Sequence, residues 1–104
     1  MKFGLKENIV QKIRRVFSAF PEVEEAVLYG SRAKGNYKEG SDIDLTLKGS
    51  NVNLGVLNKI GLRLDDLLLP YTFDLSAYRH IDNSGLIDHI NRLGVSFYKE
   101  QKEQ

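Results

Sequence analysis

The stretch that decides the fold is LYGSRAKGNYKEGSDIDLTL, residues 28–47. It begins in an apolar strand pattern (EAVLY, 25–29), turns at the Gly-Ser pair of Gly30 and Ser31, and ends in a second strand pattern (DIDLTL, 42–47). Ten residues separate the Gly-Ser pair from the first aspartate. The pattern places a hydroxyl-bearing turn where a phosphate could bind, and two carboxylates at the start of the next strand.

The two carboxylates are Asp42 and Asp44, which are one residue apart. Side chains of a strand alternate in direction, so both aspartates point to one face while Ile43 and Leu45 point to the other. Two like charges held side by side repel each other unless a cation neutralises them. Mg²⁺ binds through one or two carboxylates together with substrate phosphates. The pair is therefore predicted to hold a divalent metal ion.

The Gly-Ser turn has the chemistry of a phosphate site. Gly30 allows the backbone to approach a ligand closely. Ser31 supplies a hydroxyl at the start of a predicted short helix, where free N–H groups favour an anion. Arg32 and Lys34 add positive charge, although a solvated helix face explains them equally well. The segment as a whole predicts a site for a metal-bound triphosphate.

Each part of this pattern has a common structural explanation when it is taken alone. Gly-Ser is a frequent loop dipeptide, and Asp-x-Asp is a frequent solvated turn. An EF-hand is excluded because the acidic ligand series and the closing glutamate are missing. A Walker-type loop is excluded because no Gly-Lys-Ser/Thr follows a glycine at the required spacing. The functional interpretation therefore depends on the joint pattern of strand, turn, short helix and paired aspartates.

With these motifs the chain resembles the nucleotidyltransferase superfamily of the DNA-polymerase-beta type, in its minimal form, over about residues 5–99. The resemblance implies Mg²⁺-dependent catalysis at a two-metal site, with ATP as the substrate. It makes Asp42 and Asp44 catalytic metal ligands. A third ligand usually lies on a later strand, and Asp74 in YTFDLS (71–76) matches by context, although it could also form a local turn. The implied nucleotide-binding residues are Gly30, Ser31 and Arg32.

The resemblance also implies a partner. Minimal members of the superfamily often act beside a small helical protein of the HEPN type, encoded next door. In such pairs the transferase is the antitoxin, and it transfers AMP to a tyrosine of the toxic ribonuclease. Two alternatives stay open: transfer to a hydroxyl of a small molecule, as in antibiotic modification, and an antitoxin that neutralises its partner by binding alone.

Composition sets outer bounds on the class of protein. A chain of 104 residues is expected to form one domain, 1–104. Its 41% hydrophobic and 28% charged residues are ordinary for a globular protein, and the net charge of +1 gives no reason to expect nucleic-acid binding. There are no cysteines, so disulfides and thiolate metal sites are excluded. Without a membrane-length apolar run or a signal peptide, a cytoplasmic protein is predicted.

Hydrophobic periodicity predicts an α/β (α+β) domain with a mixed four-stranded sheet, helices packed on one side and an open acidic edge. In LDDLLL (64–69) the leucines fall on more than one face of the predicted helix, which suggests that another protein chain covers part of this segment. Neither His80 nor His89 has a partner at ligand spacing, so neither is predicted to be catalytic. The predicted helices are 5–20, 31–34, 53–68 and 84–93, the strands are 25–29, 42–48, 71–75 and 95–98, and the tail 100–104 is expected to fray.

Overall fold

The four strands lie in the order β3-β2-β1-β4 within one sheet. They belong to a computed structural model that describes residues 2–101. The strands are β1 (Glu25–Tyr29), β2 (Ile43–Lys48), β3 (Phe73–Ala77) and β4 (Val95–Lys99). The helices are α1 (Glu7–Ser18), α2 (Ser31–Lys34), α3 (Leu54–Asp65) and α4 (Ser84–Leu93), with a 3₁₀ turn at Tyr78–His80.

The sheet is mixed, as the sequence predicts. Strand β1 is central and pairs antiparallel with both β2 and β4. Strands β2 and β3 are parallel, because the crossover between them contains α3. The fold class predicted from the sequence is therefore confirmed.

The main core lies between one face of the sheet and the helices α1 and α3. The sequence predicts an apolar stripe along the first helix. Its residues are Leu5, Ile9, Ile13, Val16, Phe17 and Phe20, and of those within α1 the structure buries Ile13, Val16 and Phe17. The sheet contributes the alternating residues of each strand that point to this side. They include Ala26, Leu28, Ile43, Leu45 and Leu47, all fully buried. The amphipathic pattern of α1 therefore identified its core face correctly.

Helix α4 packs against the opposite face of the sheet. Val27 and Tyr29, which alternate with the core-facing residues of β1, form a second cluster with Ile90 of α4. The prediction that the helices pack on one side is therefore wrong for α4. The reason is visible in β1, whose last four residues are all buried because both of its faces are covered.

Element boundaries differ from the predicted ones by a few residues. Strand β3 was predicted at 71–75 and lies at Phe73–Ala77, in register with β2 from Ile43 to Leu47. Tyr71 lies outside the strand, and the Arg32 guanidinium carbon is 5.0 Å from the centroid of its ring. Both long helices are shorter than predicted, since α1 ends at Ser18 and α3 at Asp65.

The C-terminal tail is better ordered at its start than predicted. The Glu100 N–H donates to the Glu24 carbonyl at 2.8 Å, which continues the sheet beyond β4. The tail that is predicted to fray therefore begins with a residue hydrogen-bonded to the sheet, and its residues 102–104 lie outside the described part of the chain.

Three leucines are exposed on and after α3, and of these only Leu68 belongs to the segment 64–69 that the sequence singled out. Leu54 is 70% exposed, Leu62 66% and Leu68 88%. Leu68 also has a φ of 53°, a backbone region that leucine seldom adopts. In the part of the chain that the structure describes, no helix has both the length and the apolar character needed to cross a membrane.

Candidate active site

The three predicted carboxylates meet where β2 and β3 run side by side. Asp44 on β2 is the register partner of Asp74 on β3, because the two strands are parallel at this point. Asp42 lies just before β2, and its carboxylate accepts a hydrogen bond from the Thr72 hydroxyl. The core-facing side chains of β2 are its odd-numbered residues, so the aspartates lie on the same face of the sheet as α4.

The electrostatics of this face show that the aspartates interact. Burial, and then the charges of Asp74 and Asp42, raise the pKa of Asp44 above its ordinary value, while His89 opposes the rise. Burial also raises the pKa of Tyr29, and the charges of Asp74 and Asp44 add to the effect. The ionised form of Asp44 is therefore disfavoured in the protein alone, and a cation at the site would relieve the repulsion.

The donor set at this edge fits Mg²⁺ that is bound together with a substrate. Within residues 2–101, no group of three or more His, Cys, Asp and Glu side chains is arranged to hold a metal ion by itself. Mg²⁺ does not require such a cage, since it binds through one or two carboxylates plus phosphates and keeps several waters. Asp42 and Asp44 match that demand in donor type and in their shared face.

Gly30 forms the turn between β1 and α2, directly beside Asp44. Its φ of 76° and ψ of −154° lie in a region that is essentially reserved for glycine. A Cβ on Gly30 would lie 2.3 Å from Asp44 Oδ2, too close for any side chain. Glycine is thus required twice here, once by the backbone and once by the neighbouring carboxylate. The Gly-Ser motif and the Asp-x-Asp motif are therefore in direct contact.

Replacing Gly30 with alanine is expected to lower the free energy of unfolding by about 1–3 kcal/mol, because the added methyl group meets both backbone strain and the Asp44 carboxylate. The measurement is urea unfolding followed by circular dichroism. Gly35→Ala is the matched control for strain alone, since Gly35 has a φ of 87° but its Cβ would meet nothing within 4 Å. Gly40→Ala is the control without either effect, because Gly40 has no strained positive φ and its Cβ would also meet nothing within 4 Å. Equal stability of the Gly30 and Gly40 variants would contradict this account.

Ser31 is the first residue of α2, as predicted, and its side chain is half-buried at the edge of the site. The Gly30 carbonyl accepts the Lys34 N–H at 3.1 Å, which fixes the single helical turn behind the serine. The backbone of Gly30, which precedes Ser31, therefore lies against Asp44 and is hydrogen-bonded to α2. The structure brings together Gly30, Ser31, Asp42, Asp44 and Asp74.

Arg32 is placed differently from the expectation that it binds nucleotide. It is only 2% exposed, and its guanidinium donates to the carbonyls of Phe3 (2.9 Å), Ser41 (2.9 and 3.1 Å) and Glu39 (3.3 Å). The rings of Tyr37 and Tyr71 lie 5.3 and 5.0 Å from the guanidinium carbon. These contacts commit the side chain to holding the loop that precedes Asp42, so the expectation of a phosphate contact does not agree with its environment.

Sequence reasoning gave no role to His89, which the structure places beside the Gly-Ser turn. The Gly30 N–H donates to His89 Nε2 at 3.2 Å, and the His89 ring meets the Tyr29 ring edge-on at 6.2 Å between centroids. The only sequence signal was its position next to Ile90 on an amphipathic helix. That signal does not reveal what the histidine contacts, because α4 and β1 are far apart in the chain.

Comparison with known proteins agrees with this geometry. Residues 11–103 match the family model described as polymerase beta, nucleotidyltransferase. Because the match covers most of the chain, the protein belongs to this family and is a nucleotidyltransferase. No curated protein sequence is significantly similar to it.

Several solved structures share the fold. A chain in a toxin–antitoxin crystal structure with AMP-PNP superposes with a TM-score of 0.69 at 22% identity, covering 93% of this chain and 76% of that one. A MntA–HpeT variant in which two aspartates one residue apart are replaced by glutamate gives 0.68 at 20% identity, covering 93% and 76%. A tri-AMPylated HEPN toxin of Shewanella oneidensis in complex with an MNT antitoxin gives 0.67 at 17% identity, covering 93% and 75%. The expected superfamily, with its resemblance to MNT antitoxins, is thus confirmed.

Proposed function

We propose that this protein transfers AMP from ATP to a tyrosine hydroxyl of a small helical HEPN-type toxin, and that it thereby acts as the antitoxin of the pair. The observation that carries the proposal is the contact between the two motifs. Asp44 lies against Gly30 on one side and is in register with Asp74 on the other. The glycine turn and the paired carboxylates are therefore adjacent, as a site for a metal-bound triphosphate would require.

The roles of the carboxylates follow from their positions. Asp42 and Asp44 would hold Mg²⁺ together with triphosphate oxygens, and Asp74 would complete the site for a second ion. When bound, the metal ions neutralise charge at the attacking and leaving oxygens of an in-line displacement. The raised pKa of Asp44, caused first by burial and then by Asp74 and Asp42, is consistent with a site that is completed by cations.

The transfer step uses groups of this chain at both ends of the triphosphate. Gly30 would let the backbone approach the β- and γ-phosphates closely, and Ser31 would bind them through its backbone and hydroxyl donors. The acceptor oxygen forms a bond to the α-phosphorus, and the bond from that phosphorus to the α,β-bridging oxygen breaks, so that pyrophosphate leaves. The proton of the acceptor hydroxyl passes towards Asp74, which lies at the exposed edge of the sheet.

Two features support a protein partner. The similar structures include a toxin–antitoxin pair in which the HEPN toxin is tri-AMPylated. In addition, Leu54, Leu62 and Leu68 expose large apolar surfaces on and after α3. We propose that a partner protein covers these leucines. The cytoplasmic location stays a prediction from the sequence.

The proposal is tested by labelling the product from either end of the triphosphate. The protein is incubated with Mg²⁺, with the HEPN-type protein encoded next door, and with ATP labelled at its α-phosphate or at its γ-phosphate. We expect the partner to acquire label from the α-phosphate only, because the pyrophosphate leaves. Label from the γ-phosphate would mean phosphoryl transfer and would contradict the proposal. Without any labelling of the partner, small hydroxyl compounds become the acceptors to examine.

A further inference from the structure

Helix α4 brings a side chain to the phosphate turn that the transfer step described above does not use. His89 projects from α4 onto the end of β1, where its Nε2 accepts the Gly30 N–H at 3.2 Å. The helix is fixed at this place from two sides. The Asn83 side chain caps its first turn by accepting the Leu86 N–H at 3.0 Å, and Ile90 is buried against Val27 and Tyr29.

The hydrogen bond sets which donors the turn can offer to a ligand. Because the Gly30 N–H is already paired with His89, it is not available to a phosphate, and Ser31 supplies the donors of the turn. His89 holds the N–H side of Gly30, while the Gly30 carbonyl accepts the Lys34 N–H at 3.1 Å, so the turn is tied to α4 as well as to α2. A neutral imidazole nitrogen that lacks a proton is the acceptor that this contact requires.

The same contact is connected to the carboxylates. The position that a Cβ of Gly30 would occupy lies 2.3 Å from Asp44 Oδ2, so the Gly30 backbone lies directly against the Asp44 carboxylate. A shift of the Gly30 peptide would therefore change the gap between Ser31 and Asp44. That gap is where the triphosphate and its metal would bind.

We infer that His89 is a positioning residue, which fixes the Gly30–Ser31 turn for the triphosphate by accepting the Gly30 N–H. The inference rests on the proposed nucleotide-binding function. It extends the proposed site to α4, a helix that lies outside both the Gly-Ser motif and the Asp-x-Asp motif. A packing role alone would need only a ring of this size against Tyr29, and it would not need an acceptor atom at Nε2.

The test compares His89→Leu, which removes the acceptor, with His89→Gln, whose amide oxygen can reach the position of Nε2. Binding of α,β-methylene-ATP with Mg²⁺ is measured by calorimetry, because this analogue cannot release pyrophosphate. We expect binding to weaken about five- to tenfold in His89→Leu, as the loss of one neutral hydrogen bond implies, and to stay within about twofold in His89→Gln. His80→Leu, a change at an exposed histidine of the 3₁₀ turn, is the matched control and is expected to bind normally.

A second measurement follows the hydrogen bond without nucleotide. Amide hydrogen exchange at Gly30 is expected to accelerate in His89→Leu and to stay slow in His89→Gln, with similar thermal unfolding of both variants. Equal binding by the wild-type protein and His89→Leu would overturn the inference and leave the proposed function standing. If the wild-type protein did not bind the analogue at all, the proposed function would fail, whatever the exchange at Gly30 showed.

Discussion

Changing Asp44 to asparagine is expected to reduce AMP transfer by at least about a thousandfold, while the protein stays folded. Asp44 is the carboxylate that contacts the Gly30 turn and lies in register with Asp74, so its removal would take a proposed metal ligand from the centre of the site. The measurement is the initial rate of partner labelling with ATP and Mg²⁺, compared with the wild-type protein at equal concentration.

The same substitution is expected to leave the thermal unfolding temperature unchanged or to raise it. Burial and the neighbouring aspartates raise the pKa of Asp44, so its ionised form is less favourable in the folded protein than in the unfolded chain. At neutral pH this charge therefore opposes folding, and a neutral amide removes the opposition. Asp65→Asn, at an exposed position of α3, is the matched control and should retain full activity. A folded Asp44→Asn variant with normal activity would exclude the assigned site.

Changing Arg32 to lysine is expected to lower the free energy of unfolding by about 2–4 kcal/mol. The guanidinium fork satisfies the carbonyls of Phe3, Glu39 and Ser41 from one plane, and two tyrosine rings cover it. A lysine ammonium keeps the charge but cannot reach three carbonyls in those directions. The measurement is urea unfolding of both proteins under the same conditions.

Arg15→Lys is the matched control, because Arg15 is an exposed residue of α1 and its replacement is expected to change stability by less than about 0.5 kcal/mol. Transfer activity of Arg32→Lys is also expected to fall, since the Ser41 carbonyl held by Arg32 directly precedes Asp42. Unchanged stability with a selective loss of ATP binding would instead support the original expectation that Arg32 contacts phosphate.

The local parts of this site could be predicted from the sequence because they depend on short-range geometry. Alternation along a strand places Asp42 and Asp44 on one face, whatever the rest of the chain does. A glycine before a short helix predicts a turn with unusual backbone angles, and Gly30 has them. The strand that carries Asp74 was found from its apolar context, although its boundaries were shifted by two residues.

The long-range parts could not be predicted in the same way. The burial of Arg32 depends on carbonyls at Phe3 and Ser41, and no periodicity in the sequence connects those positions. The contact of His89 with Gly30 depends on which face of the sheet α4 covers. One signal was available: β1 is apolar in consecutive residues, as strands buried on both faces are. That signal indicates cover on a second face but does not identify the helix that supplies it.

The central claim is tested most directly by the intact mass of the partner. The HEPN-type protein encoded next door is incubated with this protein, ATP and Mg²⁺, and then analysed by mass spectrometry with peptide mapping. We predict one or more added AMP groups on a tyrosine of the partner, absent when Asp44→Asn replaces the wild-type protein. A stable complex whose partner keeps its unmodified mass would contradict the account and would indicate an antitoxin that acts by binding alone.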